Sequence, residues 1–235
     1  MILFDLDDTI FDHKHSRLCG LMALQDLIPQ LRSVSLKDLE AEHDKHLLAN
    51  YNATLSGQIS VSNARVERLK NLLNTFDVQV SKPLLQQADD TYRSVYNKNR
   101  QSIPGVIPLL NHLKGELPLG LVTNGLSAIQ HEKIDLCNVR HLLEFIFISE
   151  EIGHRKPEKA FFEHVYSQTG STPNQTVLVG DLWDSDIMGG YGAGMKTIWL
   201  NRYERQCPDP SITTEIYGYE PMDRALKIFR AIIHD

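Results

Sequence analysis

Met1, Ile2, Leu3, Phe4, Asp5, Leu6, Asp7, Asp8 and Thr9 open the chain, an apolar run of strand length delivered directly onto three carboxylates. Carboxylates cannot continue into a buried core unpaired; they need water, a cation or a substrate. In open α/β sheets ligands bind at the carboxyl ends of strands, so acids gathered there suit a metal-assisted site. Asp5 and Asp7 are two residues apart, and a tight turn after the strand brings both to one place. Turn-forming acids that merely cap the next segment are the plainer alternative.

Three later segments repeat the theme. Leu121, Val122, Thr123, Asn124 and Gly125 form an apolar strand ending in a hydroxyl residue and a glycine. A Thr hydroxyl and the backbone N–H groups of such a turn can hold phosphate oxygens, although the tripeptide is also a good helix cap. Lys156 precedes Pro157, and proline favours the first helical position, so the lysine is expected at a helix entrance beside the positive end of the dipole. A lysine there makes sense beside a permanent anion; a solvated surface lysine is the alternative. Val177, Leu178, Val179, Gly180 and Asp181 form another strand ending in an acid, with Asp184 and Asp186 following. Asp184 reads best as a helix N-cap, and Asp181 better as a ligand. Two carboxylates, a carbonyl and supporting acids suit magnesium, which prefers oxygen donors.

Between and around these segments the character of the chain changes once. From about Ser16 to Arg100 the apolar spacing is helical throughout, in four stripes: Leu18, Leu21, Met22 and Ile28; Leu36, Leu39, His43, Leu47 and Tyr51; Val66, Leu69, Leu73 and Phe76; Leu85, Ala88, Tyr92 and Val95. Ser35 with Asp38 resembles a capping box. Beyond Ile103, helices alternate with short strands at 117–123, 145–149, 176–180 and 196–200; helices are expected at 106–114, 127–138, 158–169, 185–193 and 222–233. The first strand must join these four. The expected fold is therefore α/β: a doubly wound, parallel, five-stranded Rossmann-like core from residues 1–12 and 101–235, interrupted by an all-helical cap domain at 13–100.

Composition narrows the rest. With 235 residues, 42% hydrophobic, there is material for a large core. A net charge of -6 gives no electrostatic footprint for a nucleic acid polymer or an anionic membrane, and no stretch is long and apolar enough to span a bilayer. Cys19, Cys137 and Cys207 are odd in number and widely spaced, as in a reducing compartment. The apolar opening breaks at Asp5 with no basic segment before it, so no signal peptide is expected and a cytoplasmic location is.

The segments DLDDT, TNG, KP and GDLWDSD, in this order, resemble the four motifs of the haloacid dehalogenase superfamily, and the helical stretch is similar to that superfamily's insertion cap. The resemblance implies that Asp5 is a nucleophile that forms an aspartyl-phosphate and that Asp7 is the acid, then the base. It further implies magnesium held by the Asp5 and Asp181 carboxylates and the Asp7 carbonyl, with Asp186 in support. Thr123, Asn124 and Lys156 would hold the phosphoryl group, with Lys156 also neutralising the nucleophile. In the superfamily's dehalogenases the second Asp of the first motif is replaced; here Asp7 is present, and an alkoxide leaving group needs its proton. The core also resembles a bacterial subgroup of pyrimidine nucleotide 5′-phosphatases, implying a small phosphate ester as partner, a nucleoside monophosphate above all; separately, a monomer or homodimer is expected. Sugar-phosphate or phosphoglycolate phosphatase, phosphomutase, and a cation-binding module without turnover are the alternatives. Within the cap, Tyr51, Asn52, Tyr92, Tyr96 and Asn97 could meet a base, though tyrosines at this spacing are more economically core residues.

Overall fold

Three central strands carry almost nothing but buried aliphatic and aromatic side chains, which is what a strand covered on both faces requires. A computed structural model describes residues 1–55 and 58–234; the side chains of Leu48, Asn50, Tyr51, Asn52, Leu55 and His234 lie outside the described residues. The chain divides into two compact units, Met1–Asp12 with Gln101–Asp235, and His13–Arg100.

The first unit is built on a parallel sheet of β1 (Ile2–Phe4), β2 (Leu119–Thr123), β3 (Phe145–Ile148), β4 (Val177–Gly180), β5 (Lys196–Leu200) and β6 (Thr214–Ile216). Their order is β3-β2-β1-β4-β5-β6, so the direction of winding reverses between β1 and β4. That reversal opens a crevice at the carboxyl ends of the two strands. The sheet has six strands where the sequence pattern gave five. The extra one, β6, is three residues, half-buried Thr214 and Glu215 with buried Ile216, pairing only with β5 among the described strands, too short and too polar to carry a strand pattern.

In the second unit, α1 (His13–Leu27), α2 (Leu36–Leu55), α3 (Val61–Thr75) and α4 (Lys82–Lys98) bury Leu21, Leu24, Leu39, Leu69, Leu73 and Tyr92 in a core of their own. Serines start the last three helices: Ser35, Ser60 and Ser81 each accept the main-chain N–H three residues on. Gly20 lets α1 approach α4, since a Cβ there would stand 2.8 Å from the Tyr92 ring. Tyr92 stacks between His43 and Tyr96, at 5.7 and 6.1 Å, so these tyrosines are packing elements of this unit; Tyr51 and Asn52 lie outside the described side chains.

The sheet's helices are α5 (Val106–Lys114), α6 (Ser127–Leu136), α7 (Ser149–Ile152), α8 (Lys159–Thr169), α9 (Met188–Gly192) and α10 (Met222–His234). Alternation along β1 shows the double winding: Leu3 packs with Phe161, Phe162 and Val165 of α8, while the next residue, Phe4, stacks on Phe229 of α10 at 6.0 Å. Two expected helices begin differently. α8 starts at Lys159 behind the N-cap Glu158, which leaves Pro157 outside it, and 183–187 forms a wide five-residue turn before α9. No described helix is long and apolar enough to cross a membrane.

Candidate active site

Asp5 is the first residue past β1, and its N–H still donates to the Val179 carbonyl at 2.9 Å, so β4 fixes where the carboxylate emerges. The chain then folds back at once. The N–H groups of Ile10 and Phe11 both donate to the Leu6 carbonyl at 2.8 Å, and Asp8 takes a φ of 59°, which tightens the turn that carries Asp7.

Lys156 is fully committed. Its ammonium donates to Asp5 Oδ1 at 2.7 Å, to Asp186 Oδ1 at 2.7 Å and to the Val122 carbonyl at 2.9 Å. Its side chain is 1% exposed, so this is no surface lysine. Burial works against its charge, but Asp186 and Asp5 outweigh that and hold its pKa above the ordinary lysine value. Its place does not come from a helix entrance, as the proline suggested. Instead the Asn124 amide grips the Lys156 backbone from both sides: Oδ1 accepts its N–H and Nδ2 donates to its carbonyl, each at 2.9 Å.

Asp186 returns to the same point from the turn after β4. Its Oδ2 accepts the Leu182 N–H at 3.0 Å, and Gly180 makes room, because a Cβ there would lie 2.4 Å from the Asp186 side chain. Asp181 is anchored through its main chain: its carbonyl accepts from Trp199 Nε1 at 2.9 Å and from Arg205 at 2.7 Å. Asp5, Asp181 and Asp186 each bring an oxygen within 4.8 Å of the others. Burial, opposed by Lys156 and reinforced by Asp186, pushes Asp5 up to about 7; burial with Asp186, Asp5 and Asp8 raises Asp181 well above the carboxylate range. Lys156 bridges Asp5 and Asp186, and Arg205 lies 3.9 Å from Asp181, yet the crowded acids still hold Asp5 and Asp181 above the ordinary carboxylate range. Hard oxygen donors in that state fit a divalent cation such as magnesium.

Asp7 and Thr123 are organised by residues that the motifs do not contain. Lys133 on α6 donates to both oxygens of Asp7 at 2.7 Å and to Gln130 Oε1 at 2.9 Å. Gln130 Nε2 in turn donates to Thr123 Oγ1 at 2.6 Å and to Asp7 Oδ2 at 3.2 Å. The sequence signal was present but mute: two polar residues three apart on the inner side of a helix. Thus Lys156 joins Asp5 and Asp186 directly, Asp181 stands beside both acids, and Asp7 with Thr123 forms a second cluster. Asn124, expected on phosphoryl oxygens, has both amide atoms engaged on Lys156.

The sequence profile of the haloacid dehalogenase-like hydrolases matches residues 2–200. The chain is 29% identical to the pyrimidine 5′-nucleotidase YjjG of Escherichia coli (strain K12) over 210 residues, 88% of each chain. It is 27% identical to the glyceraldehyde 3-phosphate phosphatase of Methanopyrus kandleri over 98% of this chain and 96% of that one. Among solved structures, the magnesium-bound putative hydrolase YfnB of Bacillus subtilis is similar with a TM-score of 0.70 at 26% identity, covering 100% of this chain and 98% of that one.

Proposed function

The chain belongs to the haloacid dehalogenase-like hydrolases, and on that footing we propose a magnesium-dependent phosphatase that works through an aspartyl-phosphate on Asp5 and takes nucleoside monophosphates, pyrimidine ones first. The carrying observation is the pairing of one buried ammonium with a carboxylate at the end of β1, beside a second carboxylate, Asp7, held apart by its own lysine. Neither cation binding nor dehalogenation needs that second carboxylate. Phosphoester hydrolysis needs it twice.

In the first step an Asp5 oxygen attacks phosphorus, the bond from phosphorus to the ester oxygen breaks, and Asp7 gives that oxygen a proton. In the second, Asp7 takes a proton from water as its oxygen attacks phosphorus; the bond to Asp5 breaks and inorganic phosphate leaves. Lys156 stays charged throughout and offsets the repulsion between a carboxylate and a phosphate. Thr123 donates its hydroxyl hydrogen to a phosphoryl oxygen. Asn124 acts by fixing the Lys156 backbone. The Asp5 and Asp181 carboxylates and the Asp7 carbonyl would hold magnesium, with Asp186 behind them, and the ion supplies positive charge against the phosphate. Residues 13–100 would act as the cap that selects the alcohol.

The nucleotide preference rests on the likeness to YjjG; the likeness to the archaeal glyceraldehyde 3-phosphate phosphatase favours a small phosphosugar as the second reading. A screen of nucleoside and sugar monophosphates by kcat/KM decides. Phosphate release that requires magnesium, is lost in Asp5→Asn and favours uridine or thymidine monophosphate is expected. Equal rates on nucleotides and triose phosphates would remove the nucleotide assignment.

A further inference from the structure

We propose that Lys133 is the positioning residue for Asp7, and that through Gln130 the same ammonium sets the direction of the Thr123 hydroxyl; the assignment rests on the phosphatase reading above. A lysine that loses most of its hydration needs a reason to be where it is. Lys133 is only 9% exposed, and its three donors are spent on Asp7 Oδ1, Asp7 Oδ2 and Gln130 Oε1. The face of the Phe11 ring lies 5.5 Å from its nitrogen. Of the three buried residues on α6, Gln130, Lys133 and Ile134, two are polar and both turn to the strand-end cluster. A helix that served only to cover the sheet would bury leucines there.

The geometry has two consequences. An ammonium bridging both oxygens stops the Asp7 carboxyl from turning about its Cβ–Cγ bond, which fixes the plane in which its proton must meet the leaving oxygen. Because Lys133 donates to Gln130 Oε1, the amide can face only one way, with its N–H groups toward Asp7 and Thr123. A Thr123 oxygen that already accepts one hydrogen keeps its own hydrogen to donate. One cation on α6 therefore sets proton direction at the ends of β1 and β2.

The test is a series of aryl phosphates of rising leaving-group basicity, read as kcat/KM with saturating magnesium, since a displaced proton donor hurts basic leaving groups selectively. Lys133→Met is expected to leave p-nitrophenyl phosphate within about threefold and to lower phenyl phosphate by about tenfold or more. Lys133→Arg restores most of the difference, and Lys133→Met adds no further leaving-group sensitivity in an Asp7→Asn background. A loss on phenyl phosphate no larger than that on p-nitrophenyl phosphate, which the Thr123 hydroxyl alone would give, overturns the assignment of Lys133 to Asp7. Should Lys133→Met not fold, Lys133→Gln, which keeps a donor but cannot bridge both Asp7 oxygens, carries the same expectation at smaller size. A wild-type protein that releases no phosphate from any aryl ester would overturn the phosphatase reading itself.

Discussion

Lys156 Nζ stands 2.7 Å from Asp5 Oδ1 and 2.7 Å from Asp186 Oδ1, so a single ammonium ties the end of β1 to the turn after β4. Among the described residues neither carboxylate has another cation so near, and both are buried. Lys156→Met should therefore cost about 3–5 kcal/mol in urea unfolding, because it strands charge in the interior. It should also lower kcat by roughly 10² to 10³. Lys156→Arg should not rescue either property, since a planar fork cannot reproduce a point charge shared by two carboxylates and the Val122 carbonyl. Full activity in the arginine variant would contradict this.

The raised pKa values of Asp5 and Asp181 set a pH dependence. Asp5 moves from 3.8 to about 7, so between those values the folded chain binds more protons than the unfolded one. Stability from this source is complete below the unfolded pKa and is lost as pH rises through about 7. Without magnesium, Tm should be lower at pH 8 than at pH 6. Added magnesium favours the ionised carboxylates, so the gain in Tm should be larger at pH 8. Equal gains at the two pH values, followed by scanning calorimetry, would speak against the ion's placement among these acids.

Gly180 is required by its neighbour. A Cβ at that position would meet Asp186 at 2.4 Å, and Asp186 is pinned by Lys156 and the Leu182 N–H. Gly180→Ala should destabilise by about 1–3 kcal/mol and reduce turnover by more than that loss of stability explains. Phosphate release at wild-type rate would mean that the turn can yield.

In the helical unit, burial lowers His43 from 6.5 to about 4, with Arg68 and Arg17 adding to the shift and the Asp44 contact opposing it. The sign is opposite to that at Asp5. Stability from neutral His43 is present above about 6.5 and falls away as pH drops toward 4. Amide exchange in α2 and α4 should accelerate over that window, and His43→Phe should flatten the change.

Much of this was readable from local pattern, and the reasons for the rest are physical. Apolar runs ending in Asp5, Thr123 and Asp181 announce strands and site together, because burial on both faces forces hydrophobic continuity up to the crevice. The helix at Val106–Lys114 and the strand at Lys196–Leu200 have the bounds that periodicity gave. Lys156 was legible as a residue but not in its support, since the Asn124 amide that grips it lies 32 residues away. Gln130 and Lys133 were illegible for the same reason: their partner Asp7 is 123 and 126 residues distant, and no local spacing encodes that. β6 is held by one neighbour and has no pattern of its own.

The position of β1 has a consequence for biosynthesis. It is made before β2 and β4, yet it lies between them, with Phe4 opposite Leu121 on one side and Val179 on the other. A ribosome-bound chain therefore carries β1 without either of its sheet neighbours while the helices of residues 13–100 are made, and with one edge open until residues 177–179 emerge. Domains fold as they leave the ribosome, and unpaired apolar strands are what chaperones protect. The same delay separates the acids in time: Asp5 is made well before Asp181 and Asp186, so the three carboxylates cannot gather until residues 181–186 have emerged.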